Sequence, residues 1–174
     1  MSSGIARLNA LPAAEAEAEL LNCCGSTEWA LRMVARRPFA ADENGLRELF
    51  GAADRIWQEL SPQDWLEAFS RHPKIGERAA AKPGSAQVQR WSEQEQSAAR
   101  SAGEAIRQAL AGANREYEKK FGYIFIVCAT GKTSEEMLAI LKQRLQNDSD
   151  TELRIAAEEQ RKITSLRLEK LLQA

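Results

Sequence analysis

Residues 121–129, Phe-Gly-Tyr-Ile-Phe-Ile-Val-Cys-Ala, form the one apolar, β-branched run in a chain of 174 residues. By composition such a run is a strand. A strand needs a neighbour to satisfy its backbone N–H and C=O groups, and no second run of this kind is present. The stretch is therefore predicted to be a buried extended or irregular segment crossing a core made of helices. The rest of the chain agrees. Ala, Leu, Glu, Arg and Gln dominate while Val, Thr and Tyr are scarce, a balance that favours helix over sheet. The expected fold is all-α: a single-domain bundle of about seven to nine helices over residues 1–174, with one buried irregular apolar segment. A chain of this length can bury a core of its own.

Local punctuation places the helices. Pro12 suits a first helical position and Gly25 a C-terminal stop, around an Ala/Glu-rich stretch. Ser26 caps a helix through Trp29, Met33 and Val34 that ends before Pro38. Asp42 opens another, with Leu46, Leu49, Phe50, Ala53, Ile56, Trp57 and Leu60 at helical spacing. Ser61-Pro62-Gln63-Asp64 starts the next. After Gly76 the chain turns Ala-, Lys- and Gln-rich around Pro83-Gly84-Ser85, which predicts a loop and the most mobile segment. A long helix is expected from about Trp91 to Lys120, weakened but not necessarily broken by Gly103 and Gly112. Thr133-Ser134-Glu135-Glu136 has the form of a capping box. Asn147 to Asp150 reads as a turn, and a last helix as running from about Thr151 to Leu172.

Composition narrows the function classes. The net charge is −1 and the charges are interspersed, so no basic face for nucleic acid is implied. No apolar run approaches the roughly 20 residues needed to cross a membrane. The N-terminus lacks a signal-peptide h-region, and the end, Leu-Leu-Gln-Ala, is not a peroxisomal address. Cys23, Cys24 and Cys128, three and unevenly spaced, fit a reducing cytoplasm better than a disulfide framework. One histidine and three scattered cysteines give no zinc spacing, so no metal is expected. Gly131-Lys132-Thr133 fails as a phosphate loop because Ile126 stands where that motif needs glycine. There is no dinucleotide fingerprint, and nothing points to a cofactor.

Three places carry candidate chemistry. His72 is the only histidine, hence the only side chain whose ordinary pKa lies near neutrality. Pro73 disfavours helix for the residue before it, so the helix from Asp64 should end at about His72 and leave the imidazole at a helix-to-loop corner. A lone histidine is most often a surface or satisfied structural residue. Second, Ser92 and Glu95 form S-x-x-E, which reads as a capping box at a helix start. A helix N-terminus also suits anionic or carbonyl-rich ligands. Third, Arg154 stands early in the last helix, a position usually taken by a solvated arginine.

Taken in order, these segments resemble the decarboxylases of 2-oxo-4-hydroxy-4-carboxy-5-ureidoimidazoline (OHCU) in urate breakdown. The opening with Leu8-Asn9-Ala10-Leu11, Leu20 to Ser26, Trp29 and Arg36-Arg37-Pro38-Phe39 is similar to that family's. So are His72-Pro73-Lys74-Ile75-Gly76-Glu77, Ser92-Glu93-Gln94-Glu95-Gln96, and Tyr117 with Phe121-Gly122-Tyr123 and the apolar run. The close, Asn147 to Arg154 followed by Ile163 and Leu166-Arg167-Leu168, is similar too. The resemblance implies His72 as catalytic acid/base, Glu95 as a second catalytic carboxylate and Arg154 as a substrate clamp. It implies substrate contacts at Pro73, Ser92, Glu93, Gln94, Glu95, Gln96, Phe125, Ile126, Val127, Cys128 and Ala129. Lys74 to Glu77 departs from members that read His-Pro-Asp-Leu, so Lys74 and Glu77 are assigned no role. The family is all-helical and often dimeric, so a homodimer is allowed.

The implied reaction takes OHCU to (S)-allantoin and CO2. Loss of CO2 leaves an electron pair that needs a sink, which many decarboxylases borrow from a cofactor. This substrate carries conjugated ring carbonyl and imine functions of its own, so no cofactor is expected. Two other classes compete. A non-catalytic helical interaction module would use Trp29, Trp57, Trp65 and Trp91 as core or interface anchors. A hydrolase of ureido compounds would release ammonia or urea in place of CO2.

Overall fold

A computed structural model describes residues 2–75, 86–95 and 103–173. Nine helices and no strand are found among the described residues: α1 (Ser2–Ala10), α2 (Ala13–Cys24), α3 (Thr27–Ala35), α4 (Glu43–Glu59), α5 (Pro62–Ser70), α6 (Ala86–Glu95), α7 (Glu104–Phe121), α8 (Ser134–Arg144) and α9 (Ser149–Gln173). The fold is all-α. Its contacts divide into two compact units, residues 1–68 with 161–174, and residues 69–160.

In the first unit, apolar faces meet over short, well-capped turns. Gly25 ends α2 in the left-handed conformation, at φ 87°, where a side chain would be strained. Ser26 then caps α3, its hydroxyl accepting the Trp29 N–H at 3.3 Å. Asp42 does the same for α4 through Gly45, at 2.8 Å. Ile5, Leu8, Leu20, Trp29, Met33 and Leu49 are fully buried. The Trp29 indole N–H is satisfied by the Ala53 carbonyl at 3.1 Å. Arg37 donates to the carbonyls of Leu8 and Leu11, at 2.7 and 2.8 Å, satisfying acceptors that the end of α1 leaves open.

The second unit is built on α7 packed against α8. Its core joins Ile75, Leu110, Ala113, Tyr117, Phe125, Val127, Ala129, Met137, Leu138 and Leu141. Gly122, at φ 82°, stops α7. From there to Thr133 the chain has no regular secondary structure, and residues 125–129 are buried throughout. The strand-like run is thus an irregular buried segment. The capping box at Thr133 is present in full, with the Thr133 hydroxyl and the Glu136 carboxylate each accepting the other residue's N–H.

Three expectations need correction, and one helix was not anticipated. Residues 2–10 form a helix that no strong start signal announces. The expected single helix over 91–120 is broken at Gly103, which takes an extended conformation (φ −60°, ψ 156°) and serves as the N-cap of α7, while Gly112 stays inside that helix. Residues 86–90, expected in the loop after Gly76, are the first half of α6. Ser92 is consequently not a helix start but lies in the last turns of α6, so the capping-box reading of Ser92 and Glu95 fails. The spacing S-x-x-E fits any two side chains one turn apart, and only the helix boundary makes it a cap. The Pro83-Gly84-Ser85 loop signal, Gly76, Glu77 and Gln96 lie outside the described residues.

Candidate active site

Every described residue singled out for chemistry belongs to the second unit. His72 follows α5 by two residues, and its N–H still donates to the Phe69 carbonyl at 3.1 Å. Pro73 ends the helical course there. The imidazole is buried, at 8% exposure. The loop that carries it is fastened to α7 at two points one turn apart. The buried Asn114 amide donates to the Ile75 carbonyl at 3.1 Å, and Lys74 pairs with Glu118 at 2.9 Å. Lys74, left without a role by sequence, is therefore an anchor of the His72 loop. Ile75 packs in the same core as Phe125, Val127 and Ala129, which brings the histidine loop and the irregular segment into one structure.

Along that segment all five side chains from Phe125 to Ala129 are buried; Phe125, Val127 and Ala129 join the core cluster, and the Ile126 carbonyl and Cys128 N–H are engaged by side chains. Arg144 donates to the Ile126 carbonyl at 2.8 Å and stacks over the Phe125 ring at 4.7 Å. It also pairs with Glu152 at 2.5 Å, and both side chains are almost wholly buried. The Tyr117 hydroxyl donates to the same carboxylate, and Asn147 donates to its other oxygen at 2.8 Å. Glu152 thus has partners on both oxygens, which is what makes a buried carboxylate tolerable. Burial pushes the Tyr117 hydroxyl well above the usual phenol range, and the Glu152 hydrogen bond adds to the rise.

Cys128 is held at both its N–H and its carbonyl. Glu159 accepts its N–H at 2.7 Å, and Lys132 donates to its carbonyl at 2.7 Å. Burial raises the Cys128 thiol above its ordinary pKa. The Lys132 ammonium opposes that rise, and the Glu159 and Glu95 carboxylates add to it. Glu95 of α6 is therefore within electrostatic reach of the segment. The other amides of residues 125–129 have no acceptor among the described residues. Buried N–H groups are nearly always paired in folded proteins, so a run of such donors is what a ligand rich in carbonyl or carboxylate oxygens can complete.

On α6, Ser92 is buried and Glu95 half-buried, three residues apart and so on one face; Glu93 and Gln94 are exposed. Being inside a helix, the Ser92 amide is not the open N-terminal donor that sequence suggested. Arg154 is exposed on α9, two residues from the buried Glu152. Among the described residues no group of three or more His, Cys, Asp or Glu side chains is arranged to hold a metal ion.

Arg144, Lys132 and Glu159 were not visible as site residues in the sequence, and Glu152 entered only as part of a motif. One signal was available. Glu152 and Glu159 are seven apart, hence on one stripe of α9, with Ala156 fully buried between them. Carboxylates on the buried stripe of a helix demand partners.

Comparisons with known proteins show the family. The family model described as OHCU decarboxylase matches residues 9–169. The chain is 42% identical over 149 residues to the uric acid degradation bifunctional protein TTL of Arabidopsis thaliana, covering 86% of this chain and 45% of that protein. It is 27% identical over 137 residues to the 2-oxo-4-hydroxy-4-carboxy-5-ureidoimidazoline decarboxylase of Haloferax volcanii, covering 79% and 76%. Among solved structures it is similar to an OHCU decarboxylase crystallised in the presence of (S)-allantoin, with a TM-score of 0.75, 39% identity, and coverage of 90% of this chain and 99% of that one. The chain spans less than half the length of its bifunctional relatives, 45% of the Arabidopsis protein and 31% of one from Bacillus. The chain belongs to the OHCU decarboxylase family.

Proposed function

We propose that this protein converts OHCU to (S)-allantoin and CO2 as a single domain, in the cytoplasm, as a monomer or homodimer. The observation that carries the reading is the union, in one core, of a buried histidine loop and a buried irregular segment whose amides, Cys128's apart, have no acceptor among the described residues. Buried donors aimed at a ligand keep their orientation while charge develops, which is the property an oxyanion site needs.

In this reading the bond between the substrate's carboxyl group and its hydroxyl-bearing ring carbon breaks. The electron pair passes into the neighbouring imine, so the substrate is its own sink. The amides of the segment hold the oxygens on which negative charge grows. Arg154, exposed on α9, offers a planar fork of donors to a carboxylate or carbonyl of the ligand. His72 removes the hydroxyl proton or delivers one to carbon on a single face, which gives the product its handedness. Glu95 supplies a carboxylate that favours the charged form of a neighbouring base. Burial of His72 keeps competing water away from that proton.

The test is turnover of freshly generated OHCU, following CO2 release and optical rotation against the spontaneous decay. Catalysed CO2 release with build-up of one enantiomer is expected. A non-catalytic module leaves the background rate unchanged, and a ureido hydrolase releases ammonia or urea.

A further inference from the structure

Residues 126–128 lie outside regular secondary structure, yet three charged side chains grip their peptide groups. Arg144 holds the Ile126 carbonyl, Lys132 the Cys128 carbonyl and Glu159 the Cys128 N–H, all at 2.7–2.8 Å. The Glu159 bond fixes the 127–128 peptide, which lies between the two peptides whose carbonyls Arg144 and Lys132 hold. In a trans peptide the N–H lies opposite the carbonyl of the preceding residue. The Val127 amide is therefore turned away from Arg144 and the Ala129 amide away from Lys132, and neither has an acceptor among the described residues.

We propose that Glu159 is a positioning residue: by accepting the Cys128 N–H it fixes the peptide between the two that Arg144 and Lys132 hold, so that the Val127 and Ala129 amides on either side of it act together on a substrate oxygen. This rests on the decarboxylase reading for the identity of the ligand, but the orientation of the segment can be tested without it. Glu159 acts through Cys128 and does not itself touch the reacting atoms. A hydrogen bond to a carboxylate is stronger than one to a neutral group. A carboxylate on the buried stripe of α9 is therefore a firmer anchor for an irregular segment than the loop's own backbone can supply. The Cys128 thiol is not required. Both Lys132 and Glu159 bind the Cys128 backbone and not its sulfur.

The experiment compares the full chain with Glu159→Leu, which removes the acceptor at similar size, and Glu159→Gln, which keeps an acceptor oxygen. Amide resonances of residues 126–129 are recorded without ligand, then on titration with allantoin, and kcat and KM are measured for OHCU. Glu159→Leu is expected to move the Cys128, Val127 and Ala129 amides in the free protein. It should also weaken allantoin binding and lower kcat/KM at least tenfold, at a melting temperature close to wild type. Glu159→Gln is expected to recover binding and kcat/KM to within about threefold. If Glu159→Leu leaves those amides in place, or binds allantoin within threefold of wild type, the positioning role is overturned. Should the wild type neither bind allantoin nor turn over OHCU, the decarboxylase reading fails, while the free-protein amide shifts still decide whether Glu159 orients the segment. If Glu159→Leu does not fold, Lys132→Met loosens the same peptide from its carbonyl side. That variant should shift the same amides and weaken allantoin binding at least threefold; unchanged amides there also overturn the proposal.

Discussion

The two units of this chain solve the same problem of helix packing with different materials. The first relies on apolar burial and local caps. Its Asp54–Arg161 ion pair is partly exposed, and its helix ends are closed by Ser26, Asp42 and Arg37. The second buries most of the polar side chains found in the interior, among them His72, Ser92, Asn114, Arg144, Glu152 and Gln160. Burying ionised groups seldom adds stability compared with apolar residues of similar volume. A unit that does so repeatedly is shaped by something other than stability, and here one of the buried groups, Arg144, holds the irregular segment directly.

That contrast can be broken most forcefully at Arg144. Arg144→Met removes one partner of the Arg144–Glu152 pair and leaves a buried carboxylate facing the Tyr117 hydroxyl. The expected loss is about 3–5 kcal/mol in urea unfolding. A loss under about 1 kcal/mol would mean that the network is ornamental. Next in size, Arg154→Ala should cost roughly 1.5–3 kcal/mol of allantoin binding, read by calorimetry, while the melting temperature hardly moves, because the side chain is exposed. Equal affinity in the variant removes the clamp. Smallest is Ser26→Ala in the first unit, expected to cost about 1 kcal/mol of stability and to leave turnover of OHCU by the folded protein as it was. A large activity loss there would dissolve the distinction between the two units.

The same contrast explains what sequence could and could not reveal. Caps at Ser26, Asp42 and Thr133 were legible because each is a local bargain between one side chain and a nearby N–H, written within three residues. The irregular segment was legible because a lone strand-like run has nowhere to pair. The His72 corner followed from Pro73. Arg144, Lys132 and Glu159 were not legible, since long charged side chains are normally solvated and only tertiary packing decides which are drawn inside. Ser92 was misread for a related reason: its spacing to Glu95 is local, but α6 starts six residues earlier, directly after the Pro83-Gly84-Ser85 stretch that reads as a loop signal. Gly103 shows the opposite error. A glycine whose cost inside a helix seemed bearable became the helix's beginning.

The most direct test of the account is the rate of CO2 release from freshly made OHCU by wild type and by His72→Asn, each corrected for uncatalysed decay. Asparagine keeps a comparable size and some hydrogen bonding but shuttles no proton near neutrality. The account predicts a fall of about 10²-fold or more, with allantoin still bound and helix content unchanged. A variant within about threefold of wild type would contradict it, leaving His72 as a buried corner residue and the proton chemistry without its carrier.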